Sequence, residues 1–596
     1  MKQNVFMGEN TDFIEHLHGS IIKASCIDIV VSFIRESGVR LILDDLKYAD
    51  DNGVKIRILT STYLNITQPQ ALYLLKSQLC NLDLRFYNVE NKSFHPKSYI
   101  FCSENDCEIY VGSSNISRGA LTDSVEWNYH FNKSDNEDDF IMFHSKFEDL
   151  FNNHSVVVTD EVLTQYSKNW IKPKIDISDV EYPSTIEARG IQIEALYELD
   201  KTRDIGFDKA LVVAATGTGK TYLAAFDSMD YDRVLFVAHR IEIIKQANEI
   251  FKRVQPEKTT GLFYNNIKQT DKDITFALVQ TLGKEKYLND KYFKEDAFDY
   301  IIIDEFHHAV AQNYQNILEY FKPKFLLGLT ATPERYDNKD VFALCDYNNV
   351  YEIRLKEAIN KDFLVPFRYY GIMDDSIDYT QVNIINGYYE EKDLEKKLMI
   401  HKRAKLILEH YQKYNSKQAI AFCCTRQHAE YMAEYFNQNN IKSSSVYSGS
   451  QGKNTQERSK AIKNLKEDKI RVIFTVDMFN EGLDIPSIDM VLFLRPTESP
   501  TIFLQQLGRG LRKYPDKKYL TVLDFIGNYK KANTIPFLLS DTTNDTKILL
   551  EKSPLEFEYP IDCQIDFDFK LINLFKYQTQ KQLRLVEIHT TQLSKH

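Results

Sequence analysis

The sequence has no run of about 18 apolar residues, so it predicts no membrane-spanning helix. Its first twenty residues, MKQNVFMGENTDFIEHLHGS, lack the apolar core of a secretory signal, and a cytoplasmic location is expected. No proline, glycine or serine tract is long enough to suggest disorder, and no repeat period stands out, which sets solenoid architectures aside. The eight cysteines, at Cys26, Cys80, Cys102, Cys107, Cys345, Cys423, Cys424 and Cys563, include no CxxC pair and none of the paired spacing a zinc site needs. Reduced, mostly buried thiols are the expectation.

Positive charge falls short of negative, with 74 Lys+Arg against 85 Asp+Glu and a formal net charge of −11 over 596 residues. The deficit is uneven. Residues 401 to 540 hold 22 Lys+Arg against 13 Asp+Glu, a net +9, which leaves −20 for the remainder. A local basic excess of this kind supports a phosphate-binding face only where other signals fall in the same stretch.

What is present is length enough for roughly three or four domains, filled with apolar, β-branched runs alternating with amphipathic segments. Strands are predicted at 27–34, 54–60, 209–216, 233–239, 298–305, 417–424 and 470–476, with helices such as 241–254 and 426–440 between them. Continuous apolar runs suit parallel strands covered on both faces, so the fold class is α/β. The polar stretch 170–190 predicts a linker, placed at 166–183, and a second boundary is expected in 345–365, placed after 345.

The strand KALVVAAT runs into GTGKT and then a helix-like segment, so Ala214 to Thr221 reads AATGTGKT. In a P-loop the backbone N–H groups of such a turn cradle phosphates at a helix N-terminus. Thr216, Gly217, Thr218 and Gly219 would form that cradle, Lys220 would reach the β and γ phosphates, and Thr221 would ligand Mg²⁺. The strand FDYIIIDE then delivers Asp304, to hold Mg²⁺, and Glu305, to orient or deprotonate the attacking water. ATP and Mg²⁺ are the expected cofactors.

From here the sequence resembles the superfamily 2 helicases over about 180–530. The resemblance implies an adenine contact from Gln192, backbone contacts to nucleic acid from AHR (238–240) and QTL (280–282), and coupling of two lobes by Thr330, Ala331 and Thr332. Gly482 and Asp484, in TVDMFNEGLDIP, match the motif joining nucleotide to nucleic acid, and QQLGRGLR supplies Arg509 and Arg512 as arginine fingers. Two RecA-like parallel-sheet lobes are thus expected at 184–345 and 346–535, with a short extension at 536–596. The motif variants look more like the DNA repair and restriction branch, so DNA is the expected track, with RNA left open.

Ahead of the motor, FHPKSYIFCSENDCEIYVGSSNISRGALTDSVE spans 94–126. His95 and Lys97 lie two apart, as on one face of a strand, and a second strand ends in GSSN at Gly112 to Asn115. This resembles the single-motif nuclease branch of the phospholipase D superfamily, implying an α/β domain over 1–165. Carried over, His95 is the nucleophile, Lys97 and Asn115 hold the phosphate with support from Ser113, and Glu126 orients His95. No metal is expected there. Cys102 stands where the family has an aspartate, so an inactive DNA-binding platform is the rival reading; a phospholipid-processing enzyme is a second. Because two histidines are needed and the chain has one full motif, a homodimer through this domain is expected. His144 and Lys146 also read HxK, but Phe140, Phe143, Phe147 and Phe151 recur at helical spacing there, predicting a core-facing helix instead. A motor fused to a nuclease resembles bacterial restriction and anti-phage defence proteins.

Overall fold

The computed structural model describes residues 4–7, 12–88, 93–173, 186–331, 341–385, 388–414, 416–447, 452–476, 485–496, 499–529, 532–540 and 556–580. The chain divides into two compact units, Met1–Lys201 and Thr202–His596.

The first unit is built on an eight-stranded mixed sheet. Strands Cys26–Val30, Lys55–Thr60 and Leu82–Tyr87 run parallel, while Ser98–Cys102 returns antiparallel beside Cys26–Val30 and pairs with Cys107–Gly112 on its other side. Isoleucines fill the alternate positions of the central strands: Ile27, Ile29, Ile56 and Ile58 are all fully buried. The helix Glu137–Asn153 covers one face with Phe140, Phe147 and Phe151 buried, as the helical phenylalanine spacing predicts, whereas Phe143, expected on the same face, is exposed. His144, on this helix, lies 3.8 Å from both Asp28 and Glu148, and Arg57 bonds the same two carboxylates at 2.6 and 2.7 Å. Lys146 bonds Asp149. The second HxK string is therefore tied up in ion pairs on a helix.

The unit does not stop at the expected linker. Residues 186–201 belong to it: Ile193 joins its core, and the buried Glu194 accepts hydrogen bonds from Gln70 and Ser167. The expectation of reduced thiols is corrected at one pair. Cys102 and Cys107 stand directly opposite on adjacent antiparallel strands and form a disulfide. Cys345, Cys423 and Cys424 are buried thiols, in keeping with the expectation.

The second unit holds two parallel sheets. The first has the order 267–268, 260–264, 274–278, 234–238, 300–304, 325–330, 209–214 and 349–353, parallel throughout except for the two-residue edge. The last strand, Asn349–Ile353, pairs with Leu211 to Ala214, so this sheet reaches past the boundary expected after 345. The second sheet is fully parallel in the order 443–446, 472–475, 419–422, 490–493, 520–526, 367–373 and 564–567. Its last strand comes from the stretch expected to be an extension beyond the lobe. Every residue of Val234–Ala238, Tyr300–Asp304 and Leu520–Ile526 is buried, which is why these segments are mostly apolar, with Asp304 at one strand end and Thr521 and Asp524 within the last strand as exceptions.

A charge pair lies inside this second lobe. Arg403 Nε donates to Asp374 Oδ2 at 2.6 Å, both side chains are 0% exposed, and Arg403 also donates to the Leu494 carbonyl at 3.0 Å. Removing one partner strands the other charge in low dielectric. Asp374→Ala should therefore cost about 3–5 kcal/mol, read as a lower urea midpoint for the full chain; an unchanged midpoint would contradict a structural role for the pair.

Candidate active sites

The candidate nucleotide-binding residues follow the strand Lys209–Ala214, which ends in a turn and passes into the helix Lys220–Asp227. Gly217 and Gly219 take φ values of +98° and +89°, a backbone region that glycine enters without strain and that aims successive N–H groups to one side. Lys220 Nζ donates to the Ala214 carbonyl at 2.8 Å, folded back over the turn it follows. Thr218 Oγ1 donates to the Ala215 carbonyl at 2.7 Å and steadies the loop. Thr221 sits one residue into the helix.

Next but one in the sheet, strand Tyr300–Asp304 brings in the acidic pair, both members buried. Glu305 has φ +52°, a left-handed conformation that costs energy in a side-chain-bearing residue and that concentrates at functional sites. His307 Nδ1 lies 3.2 Å from Thr330 Oγ1 and 3.4 Å from Glu305, linking the acidic turn to the TAT segment. Burial pushes the Lys220 ammonium down, opposed by Glu305 and Asp304 and reinforced by Arg509 and Arg512. Charges of both signs from the acidic pair and from the two arginines therefore act on Lys220.

The second lobe supplies the two arginines from the helix Pro500–Arg509 and the turn after it. The approach is close: a methyl group on Gly217 would lie 3.1 Å from the Gly508 carbonyl oxygen and 3.3 Å from Arg512 Cγ, and one on Gly508 would lie 2.6 Å from Thr216 Cβ. At Gly508 a side chain would force the P-loop and QQLGRGLR apart, and at Gly217 the neighbours would have to give by a few tenths of an ångström while the φ of +98° strains any other residue. Leu364, which the sequence reading did not single out, packs 3.2 Å from the same point. Asp304 and Thr221 offer the hard oxygen donors that Mg²⁺ prefers, beside an anion cradle, so the residues present fit ATP–Mg²⁺.

Gln192 lies on the helix Ile191–Asp204, where its Oε1 accepts from the Arg189 N–H at 3.1 Å. Thr332, Gly482 and Asp484 lie outside the described residues. Gln280 Nε2 donates to the His239 carbonyl at 3.0 Å, joining QTL to AHR. Arg458 of the second lobe comes within 4.0 Å of Glu242, just after AHR, and Arg240 adds positive potential there.

In the first unit, His95 and Lys97 precede the strand Ser98–Cys102 instead of lying on it, because Pro96 between them has no N–H to give a ladder. Lys97 Nζ bends back to the His95 carbonyl at 2.8 Å, and Gly112 N–H donates to the Lys97 carbonyl at 3.2 Å. The pairing Ser98↔Val111 thus sets the HPK and GSSN turns side by side, at the carboxyl ends of Cys26–Val30 and Lys55–Thr60. His95 is exposed and meets the Tyr63 ring edge-on at 5.7 Å. Burial lowers the Lys97 ammonium pKa, with Glu126 opposing.

Ser113 Oγ donates to Glu126 and accepts from the Trp127 N–H at 3.0 Å. Glu126 thus orients Ser113; no described contact joins it to His95, whose orientation it was expected to set. Asn115 is buried, with Oδ1 accepting from Phe33 N–H at 3.1 Å. Tyr63 went unnoticed because it comes 32 residues before His95, on a turn that only the strand order brings near. Among the described residues, Asp28, His144 and Glu148 are close enough to share an ion, and the Arg57 guanidinium already bonds two of them.

Residues 185–335 match the family described as type III restriction enzyme, res subunit, and 401–514 match the helicase conserved C-terminal domain. Residues 21–154 match the family described as cardiolipin synthase, PLD-like domain. The chain is therefore a superfamily 2 helicase with an N-terminal phospholipase-D-like domain. Among its relatives are endonuclease subunits of type I restriction enzymes. It is 28% identical over 440 residues to the type I restriction enzyme EcoAI endonuclease subunit of Escherichia coli, covering 66% of this chain and 52% of that one. It is 30% identical over 320 residues to a 51.5 kDa protein of Lactococcus phage (isolate 7-9), covering 54% and 64%. The chain thus spans about half to two thirds of these relatives. A solved structure of the type ISP restriction-modification enzyme LlaBIII bound to DNA aligns with a TM-score of 0.46 at 15% identity, over 68% of this chain and 33% of that one.

Proposed function

We propose that this chain is an ATP-driven DNA translocase or helicase whose N-terminal domain cuts phosphodiester bonds without a metal, acting as a homodimer in restriction or anti-phage defence. What supports the reading is the combination, in one chain, of a glycine turn that Lys220 folds back over, with a buried acidic pair two strands away, and a paired HPK–GSSN turn around His95.

In the motor, the backbone N–H groups of Gly217 to Lys220 hold the phosphates and Lys220 balances their charge. Thr221 and Asp304 are the residues that would hold Mg²⁺, which when bound neutralises charge on the β and γ oxygens. Glu305 orients the attacking water and takes its proton, while Arg509 and Arg512 stabilise the transferring phosphoryl group from the other lobe. The basic excess of 401–540 favours a nucleic-acid track along these lobes, and the charges of Arg240 and Arg458 act on one another.

In the nuclease, His95 attacks phosphorus and forms a phosphohistidine as the leaving oxygen departs. His95 of the partner subunit gives that oxygen its proton; water then attacks phosphorus and releases His95. Lys97 and Asn115 neutralise and position the phosphate. Position 102, where the family has an aspartate, lies five residues along the strand from Lys97 and holds a disulfide-bonded cysteine, so the aspartate is missing here. Its absence favours the second reading, a dimeric DNA-binding platform without catalysis.

Light scattering of the full chain should give about twice the 69.7 kDa of one copy. DNA cleavage by a strict monomer would contradict the two-histidine mechanism.

A further inference from the structure

The helix Pro500–Arg509 ends at Gly510, and its last turn leaves carbonyl groups that need partners. Lys517 Nζ donates to the Gly510 carbonyl at 2.6 Å and to the Pro486 carbonyl at 2.9 Å. Pro486 closes the segment TVDMFNEGLDIP, and Gly510 lies between Arg509 and Arg512. One ammonium therefore ties the end of one nucleotide motif to the turn that carries both arginines.

Other contacts hold the turn as well. The Val365 N–H donates to the Leu511 carbonyl at 2.8 Å, and Lys513 pairs with Asp362 at 2.7 Å on the exposed side. Lys517 spans the turn from inside, against the negative end of the helix dipole, where a cation is favoured. Across the cleft Arg512 reaches the P-loop at Gly217, so a shift in this turn moves a guanidinium relative to the phosphates.

We infer that Lys517 is a positioning residue for ATP hydrolysis, holding Arg509 and Arg512 in register with the P-loop by bridging Gly510 and Pro486. This rests on the assignment of those two arginines to the ATP site. Lys517 touches no reacting atom in this scheme; it acts through the turn.

The environment adds a second readout. Burial pulls the Lys517 ammonium from the usual lysine range to about 7. The charged groups facing it are Asp489, ahead of the strand Met490–Phe493, which favours the ammonium, and Arg512, which opposes it. Below pH 7 the group is charged, and as pH rises through 7 it becomes a neutral amine. That amine keeps hydrogen-bond donors but loses the charge opposing the helix dipole, so turnover should fall about two- to fivefold on the alkaline side.

The test is steady-state ATP hydrolysis by the full chain with single-stranded DNA, from pH 6 to 9, for wild type, Lys517→Met, Lys517→Arg and Arg512→Ala. Binding of a fluorescent ATP analogue and thermal unfolding are followed in parallel. Lys517→Met should lower kcat about tenfold, since two charge-assisted bonds are lost, and leave analogue affinity within about twofold. Lys517→Arg should restore at least half the rate and remove the alkaline fall, because a guanidinium stays charged. A wild-type kcat in Lys517→Met beside a crippled Arg512→Ala would overturn the role of Lys517 alone. Full activity in Arg512→Ala would overturn the arginine assignment and the inference with it. Should Lys517→Met fail to fold, an alkaline fall unchanged in Lys517→Arg would overturn the inference by itself.

Discussion

Lys220→Ala should reduce ATP hydrolysis by at least about 100-fold, a loss of about 3 kcal/mol of transition-state stabilisation. The lysine sits where Asp304, Glu305, Arg509 and Arg512 all act on it, and it spans the turn by its bond to the Ala214 carbonyl. Alanine removes the cation that faces the phosphates and leaves the glycine turn and both sheets in place, so the expected defect lies in turnover and not in folding. The dimer mass should be unchanged, because Lys220 lies in the second unit and dimerisation is assigned to the first. Phosphate release with and without single-stranded DNA measures the effect. Turnover at the wild-type rate would remove the P-loop assignment.

His95→Ala should bring DNA cleavage to background, a loss of about 10⁴-fold or more, as expected when the nucleophile itself is deleted. ATP hydrolysis should stay within about twofold of wild type, since His95 belongs to the first unit and Lys220 to the second. The side chain is exposed and packs edge-on against Tyr63, so its removal leaves no buried cavity and the fold should survive. Cleavage of labelled DNA by the variant at the wild-type rate would place the nuclease elsewhere in the chain. Loss of cleavage together with loss of ATPase would point to a shared structural defect.

Much of this architecture is legible in sequence because parallel strands buried on both faces must be apolar without interruption. Val234–Ala238 and Tyr300–Asp304 fall inside the predicted runs, and the helix Ile241–Val254 matches its predicted span. The P-loop is legible for a related reason: Gly217 and Gly219 are demanded by backbone geometry, and the lysine follows at a fixed distance. Features set by distant pairing are not legible. Asn349–Ile353 joins the first sheet, and Gln564–Phe567 the second, because an open edge strand accepted them, and neither segment carries a local signal of its partner.

The same limit applies around His95. Pro96 could have warned that the HPK segment precedes its strand, since proline cannot donate to a ladder. The Tyr63 contact, the Ser113–Glu126 bond and the Cys102–Cys107 pair follow from strand order and register. Lys517 lay unremarked among the basic residues of 401–540, and only the carbonyls of Gly510 and Pro486 distinguish it.

The most direct test of a metal-independent nuclease riding on an ATP-driven motor is cleavage of labelled single- and double-stranded DNA in excess EDTA, comparing wild type with His95→Ala. Cutting by the wild type that persists in EDTA and disappears with His95 is the predicted result. Cutting that stops in EDTA, or that survives in His95→Ala, would contradict it.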